Sequence, residues 1–304
     1  MGIRNRLRAV RSAPARLSAL GAGQEALNAG QQELERGLAE LSAQQAATSA
    51  ALDRQFEVLR AIYDDEPGNR RRLWALREDP EYRHPFEEPD PLVTVFITTY
   101  SNAEALAARS IPSVLAQTHS NLELLVVGDA ATPAVEEAAK SFDDPRVKFI
   151  NLTVRGPYPD DERLLWLVAG TAPANEGLRA ARGQWIAPHN DDDAFTPDHV
   201  EVLLREARRR ELEFVYGRIR HLLPGGEEVL HGVFPPALHE FGVQASLVHR
   251  GLRFLSWELM DAAFGVPGDW SWVRRMMRIG VRIGMVADNV VDYYPAKRWN
   301  EGPG

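Results

Sequence analysis

The sequence contains no cysteine and no apolar run of 18 or more residues, and each absence excludes a class of protein. Without cysteine there are no thiol nucleophiles, disulfides or cysteine-bound metals. No segment is predicted to cross a membrane as a helix, and no signal-peptide core follows the N-terminus. Acidic residues outnumber basic ones, and the net charge of -8 argues against a nucleic-acid-binding protein. We therefore expect a cytoplasmic protein, either free or peripheral at a membrane.

The first 22 residues carry basic side chains and no acidic ones. Arginines alternate there with Leu7, Val10 and Leu17, a composition that favours contact with an anionic membrane surface. A frayed basic terminus is the alternative interpretation. The arginines are Arg4, Arg6, Arg8, Arg11 and Arg16.

A heptad pattern occupies residues 20–62. Leucine recurs at every seventh position from Leu20 to Leu41, and Leu38, Leu52 and Leu59 fall on the complementary seam, which they share with several glutamines. The pattern predicts a long helix and indicates a homo-oligomeric coiled coil through residues 20–62. The alternative is a helix that folds back onto the rest of the chain.

The chain is predicted to divide into a helical segment, residues 1–65, a charged connector, residues 66–90, and an α/β domain, residues 91–304. In the last of these, apolar runs rich in β-branched residues alternate with helical patterns, which predicts a mostly parallel sheet flanked by helices. We expect residues 91–200 to form one half of this domain and residues 201–304 the other. The predicted strands are 93–98, 122–127, 147–152 and 185–187.

Three consecutive acidic residues, Asp191, Asp192 and Asp193, follow the last of these strands and precede a predicted helix. Ligands bind beyond the carboxyl ends of the strands in open α/β sheets, so this turn is well placed for a site. Adjacent carboxylates repel one another, and a hard divalent cation is their natural partner. A solvated acidic turn is the alternative.

Several separated stretches together resemble the GT-A type, family 2 nucleotide-sugar glycosyltransferases. The stretches are "VTVFITTYSNAEALAARSIPSVLAQTHSNLELLVVGDAATP", "NEGLRAARGQWIAPHNDDDAFTPDHVEVLL" and "GDWSWVRRMMRIG". The resemblance covers residues 91–295 and implies a Rossmann-like GT-A domain. It also implies an inverting transfer of a hexosyl-type group from a nucleoside diphosphate sugar to a hydroxyl of a saccharide or glycoconjugate acceptor, in polysaccharide or glycoconjugate assembly. Processive members carry Gln where this chain has Pro295, and no membrane helix is predicted, so we expect a non-processive enzyme.

The resemblance implies roles for individual residues in the nucleotide half. Thr99 and Tyr100 would line the nucleotide pocket, and Asp129 would accept hydrogen bonds from the base, which suits uracil and a UDP-type donor. The family pattern Asp, any residue, Asp, Asp falls on Asn190 to Asp193. Asp192 would bind Mn²⁺ or Mg²⁺ directly with Asp191 and Asp193 assisting, while Asn190 and Asp191 would also contact the nucleotide.

In the second half the resemblance implies that Asp269 is the general base and that Trp270 contacts the acceptor. The alternative for Asp269 is a cap of the helix that begins at Trp270, and the alternative for Trp270 is a side chain of the core. Lys297 and Arg298 would contact the diphosphate. The family usually has acids where this chain has Gly128, Asn190 and Gly268. These three departures keep open a second hypothesis: a catalytically inactive GT-A domain that serves as a coiled-coil assembly or binding module.

Overall fold

The computed structural model describes residues 3–223 and 225–295, with side chains at residue 18 and from residue 21 onward within those ranges. The chain divides into two compact units, Met1–Tyr63 and Asp64–Gly304. The first is one helix, α1 (Ile3–Tyr63), as the heptad pattern predicted. Its seam side chains Leu27, Leu34, Leu38 and Leu41 are 62–70% exposed, and the pairing of this helix with a second one stays a prediction. No helix in the described ranges is long and apolar enough to cross a membrane.

The segment predicted to be a charged connector is instead part of the α/β unit. It forms α2 (Glu66–Glu78), a 3₁₀ turn (Pro80–Arg83) and α3 (His84–Glu87). Leu73 on α2 is fully buried. Charge in this segment is used for docking, because Arg77 forms two hydrogen bonds of 2.7 and 2.8 Å to the buried carboxylate of Glu213. A charge-rich sequence therefore concealed a packed element.

The first half of the sheet is parallel, as predicted. Strands β1 (Val93–Thr99), β2 (Leu122–Gly128), β3 (Val147–Asn151) and β4 (Trp185–Asn190) lie in the order β3-β2-β1-β4. β1 and β2 are buried on both faces, which is why they read as nearly continuous apolar runs. Their carboxyl ends lie at one edge of the sheet.

The second half continues the same sheet with mostly antiparallel neighbours. It contains β5 (Ala194–Phe195), β6 (Phe214–Leu222), β7 (Glu228–His231), β8 (Ser246–His249) and β9 (Ile283–Tyr293). The strand order after β4 is β8-β6-β9-β5, and β7 pairs with β6 in an antiparallel hairpin. β6 and β9 are parallel to each other.

Helices cover both faces of this sheet. They are α4 (Ala103–Ala105), continued through a π turn (Leu106–Ser110) into α5 (Ile111–Leu115), then α6 (Pro133–Lys140), α7 (Glu162–Val168), α8 (Thr171–Ala180), α9 (His199–Arg210) and α10 (Gly268–Ile279). Alternate residues of β1 enter two separate cores. Ile97 packs in the cluster that contains Leu203 of α9, and Phe96 packs in the cluster that contains Trp272 of α10.

Candidate active site

The predicted nucleotide and metal residues meet at the carboxyl edge of β1, β2 and β4. The parallel register places Thr99 beside Gly128 and Thr98 beside Asn190. Asp129 therefore follows β2 at the same level as the acidic turn that follows β4. Residues separated by about 60 positions in the sequence become neighbours at the edge where α/β sheets bind ligands.

Asp129 is held in place by the loop that follows β3. Its carboxylate is 4% exposed and accepts a hydrogen bond of 2.9 Å from the backbone N–H of Gly156. From the same loop, the guanidinium of Arg155 lies 4.1 Å from the ring centre of Tyr100. The ring of Tyr100 is partly exposed, so it offers a flat surface beside Asp129. The sequence analysis did not identify Arg155, because no motif surrounds it.

Asp191 and Asp192 line a cavity of about 540 Å³. The amide of Asn102 donates a hydrogen bond of 3.3 Å to Asp191. Burial, together with the neighbouring charge of Asp192, raises the pKa of Asp191 to about 6. Burial also raises the pKa of Asp192, and the positive charge of Arg109 opposes that change. Both carboxylates are thus in an environment that favours a nearby positive charge.

Asp193 differs from its two neighbours because it is fully buried and does not line the cleft. Its Oδ2 accepts hydrogen bonds from the amides of Asn190 (2.9 Å) and Gln244 (3.3 Å), and its Oδ1 accepts one from the backbone N–H of Tyr294 (3.2 Å). Burial raises its pKa to about 7. This geometry does not match the assisting metal ligand that the family pattern implied for Asp193.

The described residues contain no group of three or more His, Asp or Glu side chains arranged to hold a metal ion. Only Asp191 and Asp192 of the acidic turn reach the cleft. A cation of the Mg²⁺ or Mn²⁺ type takes about six oxygen ligands and often completes its shell with water and substrate phosphates. The two carboxylates fit such a shared site and not an all-protein cage.

Asp269 lies in the first turn of α10 and faces the same cleft. It lines the 540 Å³ cavity and a neighbouring one of about 230 Å³, which share several residues and form two compartments of one cleft. Its Oδ1 accepts a hydrogen bond of 2.7 Å from the backbone N–H of Trp270, while the N-cap position of the helix is Pro267. Burial raises its pKa above the usual value for Asp. Trp270 lines the larger compartment.

Lys297 and Arg298 lie outside the described residues. The cleft also contains Gln244, His221 and His231, which the sequence analysis did not assign to the site. His221 and His231 lie on the β6–β7 hairpin, with ring centres 4.1 Å apart. Tertiary contacts bring them to the cleft, and no local motif indicates it.

Comparison with known proteins agrees with this architecture. The family described as Glycosyl transferase family 2 matches residues 94–158 and 171–238. The succinoglycan biosynthesis protein ExoO of Rhizobium meliloti is 33% identical over 117 residues, 38% of this chain and 30% of that protein. The UDP-Glc:alpha-D-GlcNAc-diphosphoundecaprenol beta-1,3-glucosyltransferase WfgD of Escherichia coli is 31% identical over 129 residues, 42% of this chain and 46% of that protein.

The fold is also that of a solved structure. S. aureus TarS 1-349, crystallised with UDP-GlcNAc, superposes with a TM-score of 0.52 at 14% identity, covering 67% of this chain and 59% of that one. Over residues 94–158 and 171–238 the chain is thus similar to glycosyl transferase family 2, and its α/β unit has the GT-A fold. The matched regions span less than half of ExoO and of WfgD.

Proposed function

We propose that this protein transfers a sugar from a nucleoside diphosphate sugar to an acceptor hydroxyl, with inversion at the anomeric carbon and with help from a divalent cation. The observation that carries the proposal is that Asp191, Asp192 and Asp269 line one cleft at the carboxyl edge of the sheet. The similarity to glycosyl transferase family 2 supports the reaction class. The names of ExoO and WfgD support a role in polysaccharide or glycoconjugate assembly.

The donor is a UDP-sugar in this proposal. The carboxylate of Asp129 only accepts hydrogen bonds, so it selects a base edge that presents an N–H group, as uracil does. Thr99 and the partly exposed ring of Tyr100 lie at the same edge, beside the position where a base would stack. TarS, which shares the fold, was crystallised in complex with UDP-GlcNAc, and this supports the choice of a UDP-sugar.

Asp192 is the proposed direct ligand of the cation, and Asp191 is its neighbour in the same shell. A bound Mn²⁺ or Mg²⁺ supplies Lewis-acid stabilisation of the charge on the departing diphosphate. The chain's own part is to hold two carboxylates side by side with raised pKa values, so that bringing in a cation relieves their mutual repulsion. Lys297 and Arg298 remain proposed diphosphate contacts.

Asp269 is the proposed general base. Direct displacement at the anomeric carbon requires a group that takes the proton of the acceptor hydroxyl as it attacks. The Asp269 carboxylate is partly buried and faces both compartments of the cleft. Its hydrogen bond from the Trp270 N–H fixes the direction of the carboxylate. Trp270, in the larger compartment, is the proposed acceptor contact.

The test is a thermal unfolding panel followed by a transfer assay. Wild type and Asp192→Ala are measured with UDP, GDP and ADP, each with Mn²⁺, Mg²⁺ or a chelator. We expect UDP with a metal to raise the melting temperature of wild type by mass action, and the rise to disappear in the variant. No shift of well-folded wild type with any nucleotide would overturn the donor proposal.

A second candidate is a catalytically inactive domain that serves assembly through α1. It is favoured by the replacement of three family acids by Gly128, Asn190 and Gly268. Nucleotide binding without transfer or donor hydrolysis, under conditions where Asp269→Asn behaves as wild type, would select it.

In either case we propose that residues 20–62 pair with a second copy of the chain, and that the basic segment through Arg16 contacts anionic membranes peripherally.

Those two proposals have separate readouts. Analytical sedimentation of wild type and of the double variant Leu34→Gln, Leu41→Gln measures the oligomeric state. We expect the double variant to be monomeric, because polar residues in the seam disfavour a coiled coil. Flotation with vesicles that contain anionic lipid, at low and high salt, measures membrane contact. A monomeric wild type overturns the first proposal, and the absence of salt-sensitive flotation overturns the second.

A further inference from the structure

Asp193 connects two side-chain amides that come from distant parts of the chain. Asn190 is the last residue of β4, and Gln244 lies in the 3₁₀ turn Val243–Ala245 that precedes β8. Both amides donate to the same oxygen, Oδ2, at 2.9 and 3.3 Å. Asp193 itself is fully buried, and Gln244 is 6% exposed. The three side chains form a polar cluster beside the cleft, buried at Asp193 and Gln244 and half-buried at Asn190, which we call the amide clamp.

The amide clamp determines which way each amide points. A carboxylate only accepts hydrogen bonds, so both NH₂ groups turn toward Asp193, and both carbonyl oxygens turn away from it. Neither carbonyl oxygen accepts a hydrogen bond from a described residue. Asn190 and Gln244 both line the smaller and the larger compartment. The clamp therefore presents two fixed acceptor oxygens where a ligand would lie.

The smaller compartment is sized for one ring. Its volume of about 230 Å³ is below the range of roughly 300–1,000 Å³ that is typical for drug-sized ligands. It begins beside Asn190, immediately before the two carboxylates proposed to hold the diphosphate. The group one bond beyond the diphosphate of a nucleotide sugar is its glycosyl ring. The geometry places that ring against the clamp, beside the partly exposed indole of Trp166.

We propose that the amide clamp is the element that discriminates among donor sugars, with Asn190 and Gln244 accepting hydrogen bonds from ring hydroxyls and Asp193 positioning both. The inference rests on the proposed function, since it presupposes a UDP-sugar in the cleft. A pocket built to hydrogen-bond a hydroxyl disfavours an analogue that lacks it or directs it elsewhere, because the pocket's polar groups are then unpaired. Asp193 is a positioning residue in this proposal, not a cation ligand.

The experiment compares binding of UDP with binding of UDP-glucose, UDP-galactose and UDP-N-acetylglucosamine, by titration calorimetry with Mn²⁺. The variants are Gln244→Met and Asp193→Asn. For the sugar that wild type prefers, we expect the affinity relative to UDP to fall about three- to tenfold in each variant, the effect of one lost hydrogen bond. Affinity for UDP itself is expected to change less than about twofold.

Gln117→Met is the matched control. Gln117 is also a glutamine with 6% exposure, and its amide bonds to Ser113, Thr196 and Val200 in the core, away from the cleft. It should lower the melting temperature and leave sugar preference unchanged. Unaltered preference in both clamp variants, with UDP still bound, overturns the inference alone. A large loss of UDP and Mn²⁺ binding in Asp193→Asn would make Asp193 a cation ligand and also overturn it. If wild type binds neither UDP nor a UDP-sugar, the proposed function fails as well.

Discussion

Asp192 and Asp269 face one cleft from different elements, Asp192 from the turn after β4 and Asp269 from the first turn of α10. In the proposed reaction, one carboxylate serves the departing diphosphate and the other serves the attacking hydroxyl. The two tasks require different protonation behaviour, since a cation can replace a proton on Asp192 whereas Asp269 must be free of its proton. Substitutions of Asp192 and of Asp269 should therefore have different effects on binding and on rate.

Replacing Asp269 by Asn should reduce the transfer rate by about 10²–10⁴-fold, the usual contribution of a general base. UDP-sugar binding should remain, because the amide keeps the shape of the side chain. Burial raises the pKa of Asp269, so wild-type activity should be lost, as pH falls, at a higher pH than an ordinary carboxylate would give. Initial rates and donor dissociation constants across pH measure both effects. Equal rates in Asp269→Asn and wild type would exclude the base.

Replacing Asp192 by Asn should weaken metal-dependent UDP binding by at least about tenfold, since one charged ligand of the cation is lost. Metal-independent binding of UDP, measured with chelator present, should stay the same. Asp198→Asn is a suitable control, because Asp198 precedes α9 and does not line the cleft. If both variants respond to Mn²⁺ as wild type does, the assignment of Asp192 is wrong.

Arg77→Ala should destabilise the α/β unit by roughly 2–4 kcal/mol, because it leaves the buried carboxylate of Glu213 without its main partner. Arg77 is itself partly exposed, so solvent relieves part of this penalty. Arg83→Ala should have little effect, because both members of the Arg83–Glu211 pair are exposed. Chemical denaturation of both variants gives the comparison. Similar stabilities would mean that residues 66–90 do not support the fold.

The Arg77–Glu213 pair also predicts a pH dependence. Burial tends to raise the pKa of Glu213, but hydrogen bonds from Arg77, the Arg282 backbone and Tyr82 hold it below its ordinary value. A carboxyl with a lowered pKa in the folded state adds stability above its unfolded pKa, and this stability is lost as pH falls through the folded pKa. The stability difference between wild type and Arg77→Ala should therefore shrink below about pH 4. A difference that stays constant down to about pH 3 contradicts this.

The two glycines at family acid positions should respond differently to aspartate. A Cβ on Gly128 would lie 2.5 Å from Oδ1 of Asn151. That oxygen accepts a hydrogen bond from the backbone N–H of Ala131 and is held in place, so Gly128→Asp should destabilise the fold by about 1–3 kcal/mol. At Gly268 the nearest atom, the Leu167 carbonyl oxygen, is 3.4 Å away, an ordinary contact, so Gly268→Asp should cost less stability than Gly128→Asp. Thermal unfolding of both variants measures the two losses of stability, and equal losses would contradict the packing argument.

The sequence by itself determined the elements whose signal is local. β1 and β2 read as apolar runs because parallel strands are buried on both faces, and the acidic turn follows β4 directly in the chain. The long helix α1 was predicted from its heptads. The segment 66–90 was misread, because its charged residues find partners such as Glu213 only after folding.

Only the tertiary structure decided which side chains share the cleft. Asp191, Asp192 and Asp193 are adjacent and chemically identical in the sequence, yet the turn exposes two to the cleft and buries the third against Gln244. Gln244 carries no local pattern that links it to Asn190, and Asp269 was assigned to the site only through the family resemblance. The physical reason is that periodicity records burial along one element, whereas a site depends on contacts between elements, which form only when the sheet brings their ends together.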